Sequence, residues 1–171
     1  FQGVMCDIFS SLTSVYNTDI CALIPGGGTY AMESVVRAFA TDQKVMVLRN
    51  GWFSFRWSQI FEAGNIPSET IILKARRSSN DSQSAFSPLS INDVVSRIKD
   101  EKPSVFFAPH VETSSGIILP DEYIKEISNA VHSVGGIFVL DCIASGCMWV
   151  DMKNCGVDVL ISAPQKGWSA S

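Results

Sequence analysis

Short apolar runs alternate with segments of helical period along nearly the whole chain, and this alternation restricts the fold more than any other feature. Asp19–Ile24, Lys44–Arg49, Thr70–Leu73, Ser104–Ala108, Ile137–Leu140 and Val157–Ile161 read as buried strands. Between them, Ala31–Ala40 spaces Met32, Val35, Val36 and Phe39 along one helical face. Phe53–Ala63 and Asp121–Val134 have the same period, the second stopped by Gly135-Gly136. Ile91–Ile98 reads as a short amphipathic helix with Ser90 as its N-cap, and Ser78–Pro88 as an exposed loop. Strands alternating with helices require right-handed crossovers between parallel neighbours. The expected fold is α/β: three layers, a mainly parallel sheet with helices on both faces, in one unit without internal repeat or linker.

Composition narrows the function. Among 171 residues, 13 Lys+Arg stand against 17 Asp+Glu, a net charge of −4. That balance leaves no basic face for nucleic acid, and no apolar run is long enough to cross a membrane. The five cysteines (Cys6, Cys21, Cys142, Cys147, Cys155) are odd in number, lack C-x-x-C spacing and stand apart from His110 and His132, so we expect no metal centre. They read as buried free thiols of a cytoplasmic protein.

In an open α/β sheet, ligands gather at the carboxyl ends of the strands. Here those exits carry Pro25-Gly26-Gly27-Gly28-Thr29, Asn50-Gly51-Trp52-Phe53, Pro109–Gly116, Asp141–Ser145 and Ser162–Lys166. Three glycines between a strand and a helix suit a phosphate on backbone N–H groups, or simply a tight turn. Their spacing is neither G-x-G-x-x-G nor G-x-x-x-x-G-K-[ST], so a dinucleotide fold or a P-loop is weakly supported. Asp141 alone could cap a turn, and Lys166 alone could be a solvated loop lysine. Leaving consecutive strands together, beside a phosphate-ready helix start and an aromatic side chain, they match what pyridoxal phosphate needs: an amine for its aldehyde, a carboxylate for its ring nitrogen and donors for its phosphate.

These segments resemble the class V aminotransferases among the fold-type I pyridoxal-phosphate enzymes, nearest the alanine/serine–glyoxylate branch, from about Ile24 to Trp168. The glycine segment is similar to the phosphate loop of that family, implying phosphate contacts at Gly27, Gly28 and Thr29; several members carry histidine where Thr29 stands. Asn50-Gly51-Trp52-Phe53 resembles the segment that presents a stacking aromatic, here Phe53. Glu112-Thr113-Ser114-Ser115-Gly116 resembles the E-[ST]-[ST]-[ST]-G loop, whose hydroxyls at Thr113 and Ser114 bond the cofactor, Ser114 being preferred. Asp141-Cys142-Ile143-Ala144-Ser145 is similar to D-S-x-A-S, placing Asp141 on the ring nitrogen and Ile143 under the ring. Ser162-Ala163-Pro164-Gln165-Lys166 looks like S-x-[SP]-Q-K, with Lys166 as the Schiff-base lysine and Gln165 near the phosphate.

The resemblance implies Lys166 and Asp141 as catalytic residues, pyridoxal 5'-phosphate as cofactor, and a small amino acid and a 2-oxo acid such as glyoxylate or pyruvate as substrates. It also implies a homodimer. The alternatives are 2-aminoethylphosphonate transamination, a cysteine desulfurase-like activity, and an inactive cofactor-binding fragment. Residues 1–171 are expected to be part of the large domain, without its N-terminal segment or the small C-terminal domain, and inactive alone. His132 is expected to be solvated, His110 to hold no major role, and Arg56 to pair with Glu62 or Glu33.

Overall fold

A computed structural model describes residues 1–170. Two helices, α1 (Gln2–Tyr16) and α2 (Gly28–Phe39), precede the first strand. The first crossover is β1 (Lys44–Arg49), α3 (Trp52–Gly64) and β2 (Glu69–Lys74). A two-residue pair, β3 (Arg76–Arg77) with β4 (Phe86–Ser87), closes the exposed loop, and α4 (Ile91–Glu101) leads into β5 (Val105–Pro109). A small hairpin, β6 (Val111–Glu112) and β7 (Ile117–Ile118), is followed by α5 (Asp121–Ser133) and β8 (Ile137–Asp141). The described chain closes with α6 (Met152–Cys155), β9 (Val159–Ile161) and α7 (Pro164–Gly167).

The main sheet has five parallel strands in the order β2-β1-β5-β8-β9. Alternate side chains of β1 divide between its faces. Met46 and Leu48 join Phe106, Phe138, Ile98, Ile124 and Ile127 under α4 and α5. Val45 and Val47 join Phe107, Val139, Trp57, Met32 and Val36 under α2 and α3. A strand apolar at every position has to be covered on both sides, and the three-layer α/β architecture is the result. The largest buried ring, Trp57, packs on Phe107 with centroids 4.6 Å apart. The Ser90 hydroxyl caps α4 by accepting from Asp93 N at 3.2 Å.

Three expectations need correction. Asp19–Ile24 is no strand: it runs irregularly past the sheet with Ile20 81% exposed. Tyr16, Asn17 and Asp19 tie the end of α1 to Ser162, Asp151 and Lys153, and the following run pairs with no strand. A short apolar run becomes a strand only where a neighbour can pair with it. The last strand begins at Val159 rather than Val157, because Gly156 takes a left-handed conformation and Val157 N closes a turn onto Met152 O. All five cysteines are free, but Cys6 and Cys147 are exposed rather than buried. Helix α1 has no counterpart in the sequence reading; its apolar spacing at Val4, Ile8, Leu12 and Val15 was the available signal.

Candidate cofactor site at the strand exits

The parallel register places the carboxyl ends of β1, β5, β8 and β9 along one edge. Phe53, Thr113, Ser114, Asp141, Ile143, Gln165 and Lys166 lie on segments leaving it, whereas Gly27, Gly28 and Thr29 follow no strand and reach it at the start of α2. Asp141 ends β8 with 8% exposure. Its Oδ1 accepts from Ile143 N at 2.9 Å, while Oδ2 has no partner among the described residues. Burial pushes its carboxyl up to about 6, opposed by the Ile143 N–H and reinforced by the charge of Glu112. A buried carboxylate with one idle oxygen fits a cationic N–H partner, the demand a protonated pyridine nitrogen makes.

Helix α2 starts without any side-chain cap on Gly27, and the N–H groups of Gly28 and Thr29 have no partner among the described residues. Gly28 lies so close to Ile143 that a Cβ there would stand 2.6 Å from Ile143 Cδ1. The predicted phosphate loop and the segment after Asp141 are thus brought together. Arg56, reaching from α3, donates to Thr29 Oγ1 at 2.9 Å and to Gln59 Oε1 at 3.1 Å. It has no carboxylate partner among the described residues, so the expected pairing with Glu62 or Glu33 is wrong; Glu33 is taken by Arg37. A guanidinium at the positive end of a helix suits an anion shared between them.

Helix α3 begins differently. Its N-cap, Gly51, has no side chain, and the β6–β7 loop serves its first turn instead. Phe53 N donates to Glu112 Oε1 at 3.1 Å, Ser54 N to Oε2 at 2.8 Å, and Trp52 N to Ser114 Oγ at 2.8 Å. The hydroxyls of Ser54 and Ser114 each donate to the same carboxylate at 2.6 Å. Burial favours protonation of Glu112, but these hydrogen bonds outweigh it and hold the carboxyl below the usual carboxylate range. Ser114 is therefore engaged inside the protein, whereas Thr113 is exposed and its hydroxyl has no partner among the described residues. Phe53 is 46% exposed at the mouth of this arrangement.

Lys166 and Gln165 lie exposed on α7, beyond β9. Register brings their segment beside Asp141, which pairs with Ile161, but no side-chain hydrogen bond joins Lys166 to the other site residues among those described. Packing holds the segment on both sides. Gly167 abuts the Gly146 carbonyl, and Trp168 stacks 4.7 Å from Trp149 and 6.2 Å from Tyr16. The Tyr16 hydroxyl meets Ser162 Oγ at 2.8 Å.

His110 is buried with Nδ1 2.7 Å from Ser145 Oγ, and burial lowers its pKa against the opposing charge of Asp121. His132 is not merely solvated: its Nε2 lies 2.8 Å from Asp158 Oδ2. Burial pushes the Cys142 thiol far up, which makes it a packing group rather than a nucleophile. Sequence reasoning assigned no role to Glu112 or the Tyr16–Trp149–Trp168 cluster. The hydroxyl run after Glu112 and the Gly51 start of α3 were the only signals for the former.

No family model matches the chain. Over 96% of its length it superposes on a ureidoglycine–glyoxylate aminotransferase from Bacillus subtilis with a TM-score of 0.79 at 22% identity, covering 40% of that structure. A pyridoxal-phosphate-bound putative aminotransferase from Clostridium difficile gives 0.65 at 16% identity over 92% of the chain and 42% of the other. The fold is that of the fold-type I pyridoxal-phosphate transferases. The class V likeness agrees with curated relatives. A 2-aminoethylphosphonate–pyruvate transaminase from Bacteroides fragilis is 29% identical over 84% of this chain and 37% of its own length. One from Paraburkholderia phymatum is 25% identical over 96% and 42%. The chain thus spans less than half the length of these curated relatives. Among the described residues no helix is long and apolar enough to cross a membrane, and no group of His, Cys, Asp and Glu is arranged to hold a metal.

Proposed function

We propose that this chain is the cofactor-binding part of a pyridoxal-phosphate aminotransferase that moves an amino group from a small amino acid of alanine or serine type to a 2-oxo acid such as glyoxylate or pyruvate. The observation that carries the reading is the buried, half-satisfied carboxylate of Asp141 on a strand whose parallel neighbour leads to Lys166. When bound, pyridoxal phosphate supplies an electron sink for the pair left at Cα as its proton departs.

The chain's own residues supply the rest. Asp141 keeps a proton at the ring nitrogen. The Lys166 amine would hold the cofactor at its aldehyde carbon and, when free, would be the base that accepts the proton leaving the donor's Cα and returns it to the carbon that held the amine. Phe53 and Ile143 flank the ring. Gly27, Gly28 and Thr29 offer the phosphate the first turn of α2, with Gln165 and the Arg56 guanidinium beside it. The engagement of Ser114 by Glu112 favours Thr113 as the hydroxyl that reaches the cofactor.

The curated relatives favour a second donor, 2-aminoethylphosphonate, with pyruvate as acceptor. The exposed apolar side chains Ile20, Leu23, Ile24 and Tyr30 around the start of α2, with Trp52 at the start of α3, support a homodimer. The free thiols suit a reducing, cytoplasmic compartment. The deciding assay offers the longer protein alanine or serine with glyoxylate or pyruvate, and separately 2-aminoethylphosphonate with pyruvate, with Lys166→Ala as blank. Turnover of the first set, lost in the variant, supports the primary reading. Turnover of the phosphonate alone selects the second, and turnover of neither rejects both.

A further inference from the structure

We propose that Glu112 is the positioning residue of this site, a buried anionic clamp that fixes the β6–β7 loop to the first turn of α3 and so sets where Phe53 and Thr113 stand. This inference rests on the cofactor reading for its consequence, though not for the clamp itself.

A helix start leaves its first N–H groups unpaired, and they are ordinarily satisfied by a cap from the same helix or by water. In α3 the contact from within the helix, Gly51 N donating to Ser54 Oγ at 3.1 Å, serves only the N-cap's own N–H and none of the N–H groups of the first turn. Gly51 has no side chain to offer, and all three leading N–H groups, of Trp52, Phe53 and Ser54, point to side chains of residues 112–114. Glu112 is fully buried and both carboxylate oxygens are occupied, Oε1 by Phe53 N and Ser114 Oγ, Oε2 by Ser54 N and Ser54 Oγ.

No cation faces it: Glu112 forms no ion pair among the described residues. Its charge is held by the N–H groups and positive end of α3 and by two hydroxyls. Gly51 permits the approach, since a Cβ there would run into Ser114 Oγ and the Glu112 carboxyl carbon. The backbone of Phe53 is thus hydrogen-bonded to the carboxylate that immediately precedes Thr113 in the chain. The ring-facing aromatic and the hydroxyl loop are then one rigid unit, preorganised before any cofactor arrives. The same negative charge bears on Asp141 across the site.

The test takes the full chain, pyridoxal phosphate as probe, and Glu112→Gln. The amide keeps the side chain's shape but sets an NH2 group against donors that need an acceptor. Three changes are expected. Hydrogen exchange at Phe53 and Ser54 quickens on the order of tenfold or more, pyridoxal phosphate binds about tenfold more weakly, and the induced dichroism per bound cofactor falls. Ser54→Ala, which removes one hydroxyl and keeps the carboxylate, should shift all three the same way by less, and it stands in if Glu112→Gln does not fold. Unchanged exchange, or affinity that falls only in step with global stability while dichroism per bound cofactor is unaltered, would overturn the clamp. If the wild-type chain binds no pyridoxal phosphate, the cofactor reading fails separately. The clamp is then judged on exchange alone, where faster exchange upholds it and unchanged protection rejects it.

Discussion

Asp141 and Arg56 carry the sharpest consequences at the scale of single residues. The Asp141 carboxyl is raised from 3.8 to about 6 in the folded chain, so between those values the folded state holds the proton more tightly than the unfolded state. Stability therefore rises as pH falls through that window, and the burial penalty is fully present above about pH 6. Asp141→Asn should stabilise the cofactor-free chain by about 1–3 kcal/mol near pH 8 and by almost nothing near pH 4. Urea midpoints of variant and wild type at the two pH values check this. His110 acts in the opposite direction, since its lowered pKa withdraws stability as pH falls below the ordinary histidine value, but it is common to both proteins and cancels in the difference. Arg56→Ala should weaken pyridoxal phosphate about tenfold while leaving unphosphorylated pyridoxal nearly unaffected, because only the former brings an anion to Thr29 and the α2 start. Equal effects on both ligands, read by fluorescence titration, would remove Arg56 from the phosphate site. Asp141 was legible because it ends an apolar run, and Lys166 only in combination with it, as a loop lysine a few residues beyond the next run. Arg56 and Glu112 were not, because their roles depend on Thr29 and Ser54, partners distant in sequence.

At the scale of elements, legibility followed how local the determinants were. Strand β1 was read with its observed limits, Lys44–Arg49, since every residue inside it is apolar and sharp breaks stand on either side. Helices α4 and α5 were readable from one apolar stripe each, with Ser90 and Gly135-Gly136 as punctuation. Asp19–Ile24 misled because an apolar run looks the same whether or not a neighbouring strand pairs with it. The two-residue ladders β3–β4 and β6–β7 left no period to detect. The α5–β8 turn offers a direct check on packing. A Cβ on Gly136 would lie 2.7 Å from the Pro103 carbonyl oxygen, a backbone atom that cannot rotate away. Gly136→Ala should cost about 1–3 kcal/mol in chemical denaturation, and a neutral result would mean that the turn is looser than described.

For the whole molecule, two faces of one parallel sheet are closed by helices while the carboxyl edge gathers the polar and glycine-rich segments. Ile20, Leu23 and Ile24, before α2, and Trp52, at the start of α3, are exposed apolar side chains of a kind that fits association with a second copy. Sedimentation velocity should find the chain self-associated, and Ile20→Glu with Ile24→Glu should shift it toward monomer; a wild-type monomer at micromolar concentration would reject that surface as a dimer contact. The most direct measurement on the site itself is borohydride reduction of the purified chain with pyridoxal phosphate, followed by peptide mapping. The predicted result is a single reduced adduct on Lys166. Labels scattered over several exposed lysines, or none, both here and in a longer chain carrying the following residues, would contradict the pyridoxal-phosphate assignment.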